Sequence, residues 1–125
     1  MWPDDIERVA KAWAQAPISA NYLVYDNPKQ WPDAWSLISD GIFCDISIAL
    51  GMFYTLYYSS YPYKDAMQLE HYHLPNQHQT LNLVSLENGK YMLNYQLYRS
   101  VNIQQAESLP APKHIIKAQH LPIKN

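Results

Sequence analysis

This chain of 125 residues has one cysteine, three glycines and two phenylalanines. The lone cysteine, Cys44, rules out an internal disulfide framework and is compatible with a reducing compartment, so cytoplasmic synthesis is expected. Nothing resembles a phosphate-binding glycine loop, and three glycines leave little material for one. Charge is also scarce. Charged residues make up 16% of the chain and the net charge is -2, so there is no basic field to recruit nucleic acid. The N-terminus, Trp2-Pro3-Asp4-Asp5, is acidic and lacks the basic and apolar regions of a signal peptide. No cofactor motif stands out, and no pair of carboxylates sits at catalytic spacing.

The chain is rich in tyrosine (11), tryptophan (4) and proline (9). Tyrosine packs its ring but needs a partner for its hydroxyl, which suits a small core as well as a wet interface or groove. The length fits one domain with one core.

Residues 4–16 read as an amphipathic helix. Ile6, Val9, Ala10 and Trp13 recur at helical spacing, Asp4 can cap the start, Glu7 and Lys11 form an i,i+4 pair, and Pro17 ends the run. Residues 22–25 suit a short strand or an extended arm, and residues 32–38 a short helix with proline in its first turn. Residues 41–58 read as a central helix, apolar on nearly all sides and therefore buried. Ser47, Gly51 and Thr55 form a stripe of small residues along it, where another element can approach closely. A membrane span is set aside, because the run is short and contains Asp45 and several tyrosines. Strand-like segments follow at 66–73, 80–86 and 90–97, with Glu87-Asn88-Gly89 as a hairpin loop. The expected class is α+β, a buried helix on a small antiparallel sheet, with a single domain over 1–108 and a proline-rich extended arm over 109–125. Alone, that arm is expected to be flexible.

Cys44 stands near the start of the central helix, where the helix dipole lowers a thiol pKa. His78 opens the second strand-like run and Asn94 lies in the third. In chain order these are a nucleophile, a base and an orienting group, with separations of 34 and 16 positions. Gly41-Ile42-Phe43-Cys44-Asp45, His78 with Thr80-Leu81-Asn82-Leu83-Val84, and Gly89-Lys90-Tyr91-Met92-Leu93-Asn94 together resemble the transglutaminase-like branch of the papain-like cysteine enzymes, over roughly residues 32–97. The chain also resembles the short single-domain versions carried by bacteriophages. The resemblance implies Cys44, His78 and Asn94 as catalytic residues, and no cofactor or metal is expected. Thr80 stands where that family often has a tryptophan, and Asp40 and Asp45 flank the cysteine with charge that opposes a thiolate. Beyond the Cys44 amide, Gln30 and Trp31 are the oxyanion-donor candidates. His71, His73 and His78 with Glu70 do not make the tight four-ligand set of a structural zinc site.

A three-residue hairpin loop would pair residues whose numbers sum to 176 and place His78 and Asn94 on one face. A two-residue turn would give 177 and opposite faces. The three-residue loop is favoured because it also aligns Leu81 and Leu83 with Tyr91, Leu93, Tyr95 and Leu97.

Two functions follow. A structural or protein-binding component, one form being part of a phage particle, accounts for the arms and the tyrosine surplus. It would use the N- and C-terminal arms to engage protein partners or further copies of the chain. The alternative is a cysteine hydrolase or acyltransferase acting on an amide or ester through a thioester at Cys44, which accounts for the triad. A phage-encoded inhibitor is also permitted. The sequence leans to the structural reading, without nucleic acid or membrane as partner.

Overall fold

No charged residue occurs between Asp45 and Lys64, and a helix built from such a run must be covered on every side. The computed structural model describes residues 6, 8, 9, 11–13, 28–40, 45–59, 61–74, 79–87, 91–96, 99–101 and 111–123. Helix α1 is Ala34–Asp40 and helix α2 is Asp45–Tyr57. Residues 6, 8, 9 and 11–13 are helical as well. Asp33 caps α1, its Oδ1 accepting the Ser36 amide at 2.9 Å, so the helix begins just after Pro32. From Ile46 to Leu56 every residue of α2 is buried except Thr55. Among the described residues no helix is long and apolar enough to cross a membrane.

Five antiparallel strands form one sheet: β1 (Gln68–Leu74), β2 (Gln79–Leu86), β3 (Tyr91–Gln96), β4 (Arg99–Val101) and β5 (His114–Lys117), in the order β4-β3-β2-β1-β5. The class is α+β, as expected. Helix α2 packs on β1, β2 and β3. Leu69, Val84, Leu86, Leu93 and Ile116 point toward it and share its core, while Tyr72, Leu83 and Met92 form a second cluster on the other face.

That division fixes the register and corrects the sequence expectation. Val84 pairs with Leu93, Ser85 with Met92 and Leu86 with Tyr91, so the numbers sum to 177, not 176. In the 176 register Leu93 would lie opposite Leu83, on the face away from α2. Burial of Val84, Leu86 and Leu93 under one helix selects 177.

Residues 114–117 correct a second expectation. Within the segment read as a flexible arm, β5 pairs with β1 (Leu69 with Ile116, His71 with His114), and the Lys113 amide donates to the His71 carbonyl at 2.6 Å. Pro112 and Pro122 flank this strand rather than interrupt it. Leu121 and Ile116 are buried in the main core, so the described part of the tail is ordered by the chain's own sheet.

Three tyrosines serve the core with their hydroxyls occupied. Tyr54 donates to the Pro32 carbonyl at 2.8 Å, Tyr61 to Glu87 Oε2 at 3.2 Å, and Tyr72 to Glu70 Oε1. Burial pushes all three phenol pKa values well up, so they remain donors.

The small stripe on α2 receives Trp13. Its Nε1–H donates to Thr55 Oγ1 at 3.0 Å, and the Thr55 hydroxyl donates to the Gly51 carbonyl at 2.8 Å. The indole lies so close over Gly51 that an added Cβ would overlap three of its ring carbons. Gly51→Ala therefore gains about 1 kcal/mol of helix propensity but meets an overpacking cost of about 1–3 kcal/mol. The expected outcome in urea unfolding is a net loss of stability with a shifted tryptophan emission. A raised midpoint with unchanged emission would mean that Trp13 does not rest there.

Candidate functional site

Cys44 and His78 lie outside the described residues. In sequence, Cys44 immediately precedes the first residue of α2, and His78 immediately precedes the first residue of β2. Asn94 is described. It is half-buried in β3 with φ 72, a left-handed conformation that asparagine tolerates better than most residues. The strand is irregular around it. The β2–β3 register runs as far as Val84 opposite Leu93, and between β3 and β4 it shifts from Met92–Val101 to Gln96–Arg99. Alternation breaks within this stretch, so the regular-strand argument for which face Asn94 occupies does not apply.

The Asn94 side chain repairs the break. Its Nδ2 donates to the main-chain carbonyl of Asn82 at 2.8 Å, where a regular ladder would supply a backbone N–H. This contact also fixes the amide. With Nδ2 committed to β2, Oδ1 is the atom that can accept an imidazole N–H.

Asn82 connects this strand to the start of α2. It pairs with His71 across β1 and β2, and the His71 Nδ1–H donates to its Oδ1 at 2.9 Å. Asn82 also lines a void of about 10 Å³ with Trp31 and with Ile46 and Ala49 from the opening turns of α2. Hydrogen bonds thus link Asn94 and His71 to Asn82, and Asn82 lies beside the opening turns of α2, which Cys44 precedes in sequence. Neither His71 nor Asn82 was singled out for this arrangement from sequence. A signal existed, because Asn82 is a polar residue in the row otherwise formed by Val84 and Leu86.

Burial lowers the His71 pKa. The Asn82 hydrogen bond opposes this, and His114, Lys113 and His73 reinforce it. The His71 and His114 rings lie 5.7 Å apart. Of the oxyanion candidates, Gln30 is exposed, and the Trp31 main-chain N–H is committed to the Pro28 carbonyl at 3.1 Å. The buried Glu70 accepts from Gln68 Nε2 at 2.6 Å as well as from Tyr72. Among the described residues no group of three or more His, Cys, Asp or Glu is placed to hold a metal ion.

No protein-family model matches the chain, and no curated protein matches it. Solved structures do. EGTA-treated LapG of Legionella pneumophila superposes with a TM-score of 0.72 at 16% identity, over 94% of this chain and 64% of LapG. The calcium-bound form gives 0.70 at 14%, over 94% and 66%. A third LapG structure gives 0.72 at 16%, over 94% and 65%. The chain therefore spans about two thirds of the length of these LapG structures. At these identities the likeness establishes a shared fold alone.

Two outcomes are expected. Asn94→Ala loses the bond to the Asn82 carbonyl and must hold φ 72 without an asparagine, costing about 2 kcal/mol in denaturant unfolding. Asn94→Gly keeps the backbone freedom and costs about 1 kcal/mol. Equal losses would show that the left-handed backbone carries no energy.

The His71 pKa lies below the unfolded value of about 6.5. The unfolded chain therefore takes up the proton first. This contribution to stability is complete above about pH 6.5 and is lost as the pH falls below it. Unfolding free energies between pH 7.5 and 5.5 should decline less steeply in His71→Gln than in the wild type.

Proposed function

We propose that the chain is a cysteine amide hydrolase of the peptidase kind, with Cys44 as nucleophile, His78 as base and Asn94 as the group that orients the imidazole. The observation that carries this reading is the fixed Asn94 amide, tied to Asn82 beneath the opening turns of α2. The transglutaminase-like fold supports it, because the sequence resemblance to that family places a cysteine, a histidine and an asparagine at these three positions in the same chain order.

In this scheme His78 removes the Cys44 proton and the thiolate attacks the amide carbonyl carbon. The tetrahedral oxyanion collapses, and the imidazolium returns the proton to the departing amine, leaving a thioester on Cys44. A water then loses its proton to His78 and attacks the thioester, and Cys44 leaves as thiolate with release of the acid. An amine in place of that water would give acyl transfer by the same steps. No step uses a metal or cofactor.

The structural-component reading and its phage-particle form gain nothing from the likeness to LapG. The described part of the tail that suggested an external partner is satisfied by β1.

The rate of Cys44 alkylation against pH tests the proposal. The expected midpoint lies well below the ordinary thiol value of about 8.5, returns toward it in His78→Ala, and is accompanied by loss of amide turnover in Cys44→Ser. A wild-type thiol that is unreactive across the range, or that titrates at the ordinary value, would sink the enzymatic reading.

A further inference from the structure

Three lysines from distant parts of the chain, Lys29, Lys64 and Lys117, converge on one groove beside the C-terminal end of α2. The groove holds about 460 Å³, a size usual for small-molecule sites. Asp65 is the only carboxylate among its described walls. Those walls therefore carry two positive charges in excess, in a chain whose net charge is -2.

Local structure sets the three positions. Each lysine belongs to or adjoins a short 3-10 turn: Pro28–Gln30, Lys64–Ala66 and Ala118–His120. A main-chain bond closes each turn, from the Trp31 amide to Pro28 at 3.1 Å, from Met67 to Lys64 at 3.2 Å, and from Leu121 to Ala118 at 3.1 Å. Strand β5 brings Lys117 opposite Gln68 of β1. Lys29 Nζ donates to the Leu121 carbonyl at 3.3 Å, tying together segments 92 positions apart. Lys64 Nζ lies 5.8 Å from the centroid of the Tyr57 ring, a cation–π contact. A carbonyl and a phenol ring are both neutral, so these partners hold the two ammonium groups without cancelling their charge.

Charge selects the occupant. The last turn of α2 adds a partial charge of about -0.5, which leaves the walls positive by about 1.5. A cation would be repelled, and a single carboxylate would leave part of that charge unmatched. A phosphate monoester carries about -1.5 to -2 at neutral pH. Lysine meets phosphate as a point charge and needs no planar fork geometry. The walls also present Tyr57, Met67, Leu121 and Ile123, an apolar surface that inorganic phosphate would leave uncovered and an organic substituent would cover.

We propose that this groove binds a small organic phosphate monoester, with its phosphate among Lys29, Lys64 and Lys117 and its organic body on Tyr57 and Ile123. The site is distinct from the one proposed around Cys44. Tyr57 stands twelve residues after Asp45, at the other end of α2, about 18 Å along the helix at 1.5 Å per residue. The inference does not rest on the hydrolase reading.

The test uses the full chain, isotopically labelled and at constant ionic strength, with binding read from amide chemical shifts. It is titrated separately with phenyl phosphate, inorganic phosphate, benzyl alcohol and benzoate. Phenyl phosphate should bind about tenfold more tightly than inorganic phosphate or benzyl alcohol, and the shifts should centre on residues 64–67 and 117–121. Lys117 and Asp65 are exposed, so their substitution should leave the far-ultraviolet circular dichroism unchanged. Lys117→Gln should weaken phenyl phosphate about threefold and leave benzyl alcohol unchanged, whereas Asp65→Asn should tighten phenyl phosphate about threefold. Absence of binding, shifts centred elsewhere, phenyl phosphate no tighter than either control, or an Asp65→Asn variant that binds it more weakly would overturn the proposal. Benzoate binding as tightly as phenyl phosphate would overturn it in favour of a carboxylate. Tighter binding to vesicles containing phosphatidic acid than to phenyl phosphate would also overturn it, reassigning the groove to a lipid surface.

Discussion

A helix without a polar side constrains everything packed around it. Because α2 is apolar on nearly its whole circumference, the sheet must turn Leu69, Val84, Leu86, Leu93 and Ile116 to one face. The remaining sides must be closed by other elements. Ile6, Val9 and Trp13 cover part of them, as do Trp31, Leu37 and Leu121, which come from segments far apart in sequence. Each fully buried aliphatic side chain contributes about 1.5–3 kcal/mol relative to exposure, more than a turn preference can resist. The β2–β3 register follows from the helix, and the hairpin connection accommodates it, with Glu87 at φ 52.

The polar features of the sheet follow from that register. With Val84 opposite Leu93, β3 continues into a break at Asn94, and a carbonyl of β2 is left to be satisfied by a side chain. Asn82 takes the next inward position after Val84 and Leu86. There it meets His71 across the sheet and lies close to the opening turns of α2. A partly buried polar pair in this position is costly to break.

The sequence made the central helix legible because the absence of charge over residues 46–63 allows few other readings. The small stripe was legible for a similar reason. Ser47, Gly51 and Thr55 recur every four residues, and a large side chain, Trp13, does approach there. Strands β1 to β3 were visible through alternation. Strands β4 and β5 were not, since three or four residues carry too little pattern, and β5 exists through its pairing with β1, about 45 positions earlier in the chain. The register was misjudged because turn geometry was weighed against alternation along the strands, while the deciding interaction was burial under a helix from another part of the chain. At the candidate site, order and spacing named Asn94 as a candidate, but its left-handed backbone and its bond to Asn82 could not be read from the sequence, because both arise from the break in pairing.

The balance of charges around Cys44 shows why the orienting group matters. A helix N-terminus stabilises a nearby anion by about 0.3–1 kcal/mol when exposed, less than one pKa unit at 1.36 kcal/mol per unit. Two carboxylates, Asp40 and Asp45, flank the cysteine in sequence, and nearby anions disfavour a thiolate. A thiolate at neutral pH then has to come from an imidazolium partner, which in papain-like sites lowers a cysteine by several units. Such a partner is effective only in one tautomer and one orientation. An asparagine whose donor is already committed to the Asn82 carbonyl offers its oxygen in a fixed direction, whereas an aspartate there would set its charge against that carbonyl. The same bond that closes the break in the sheet would thus orient the base.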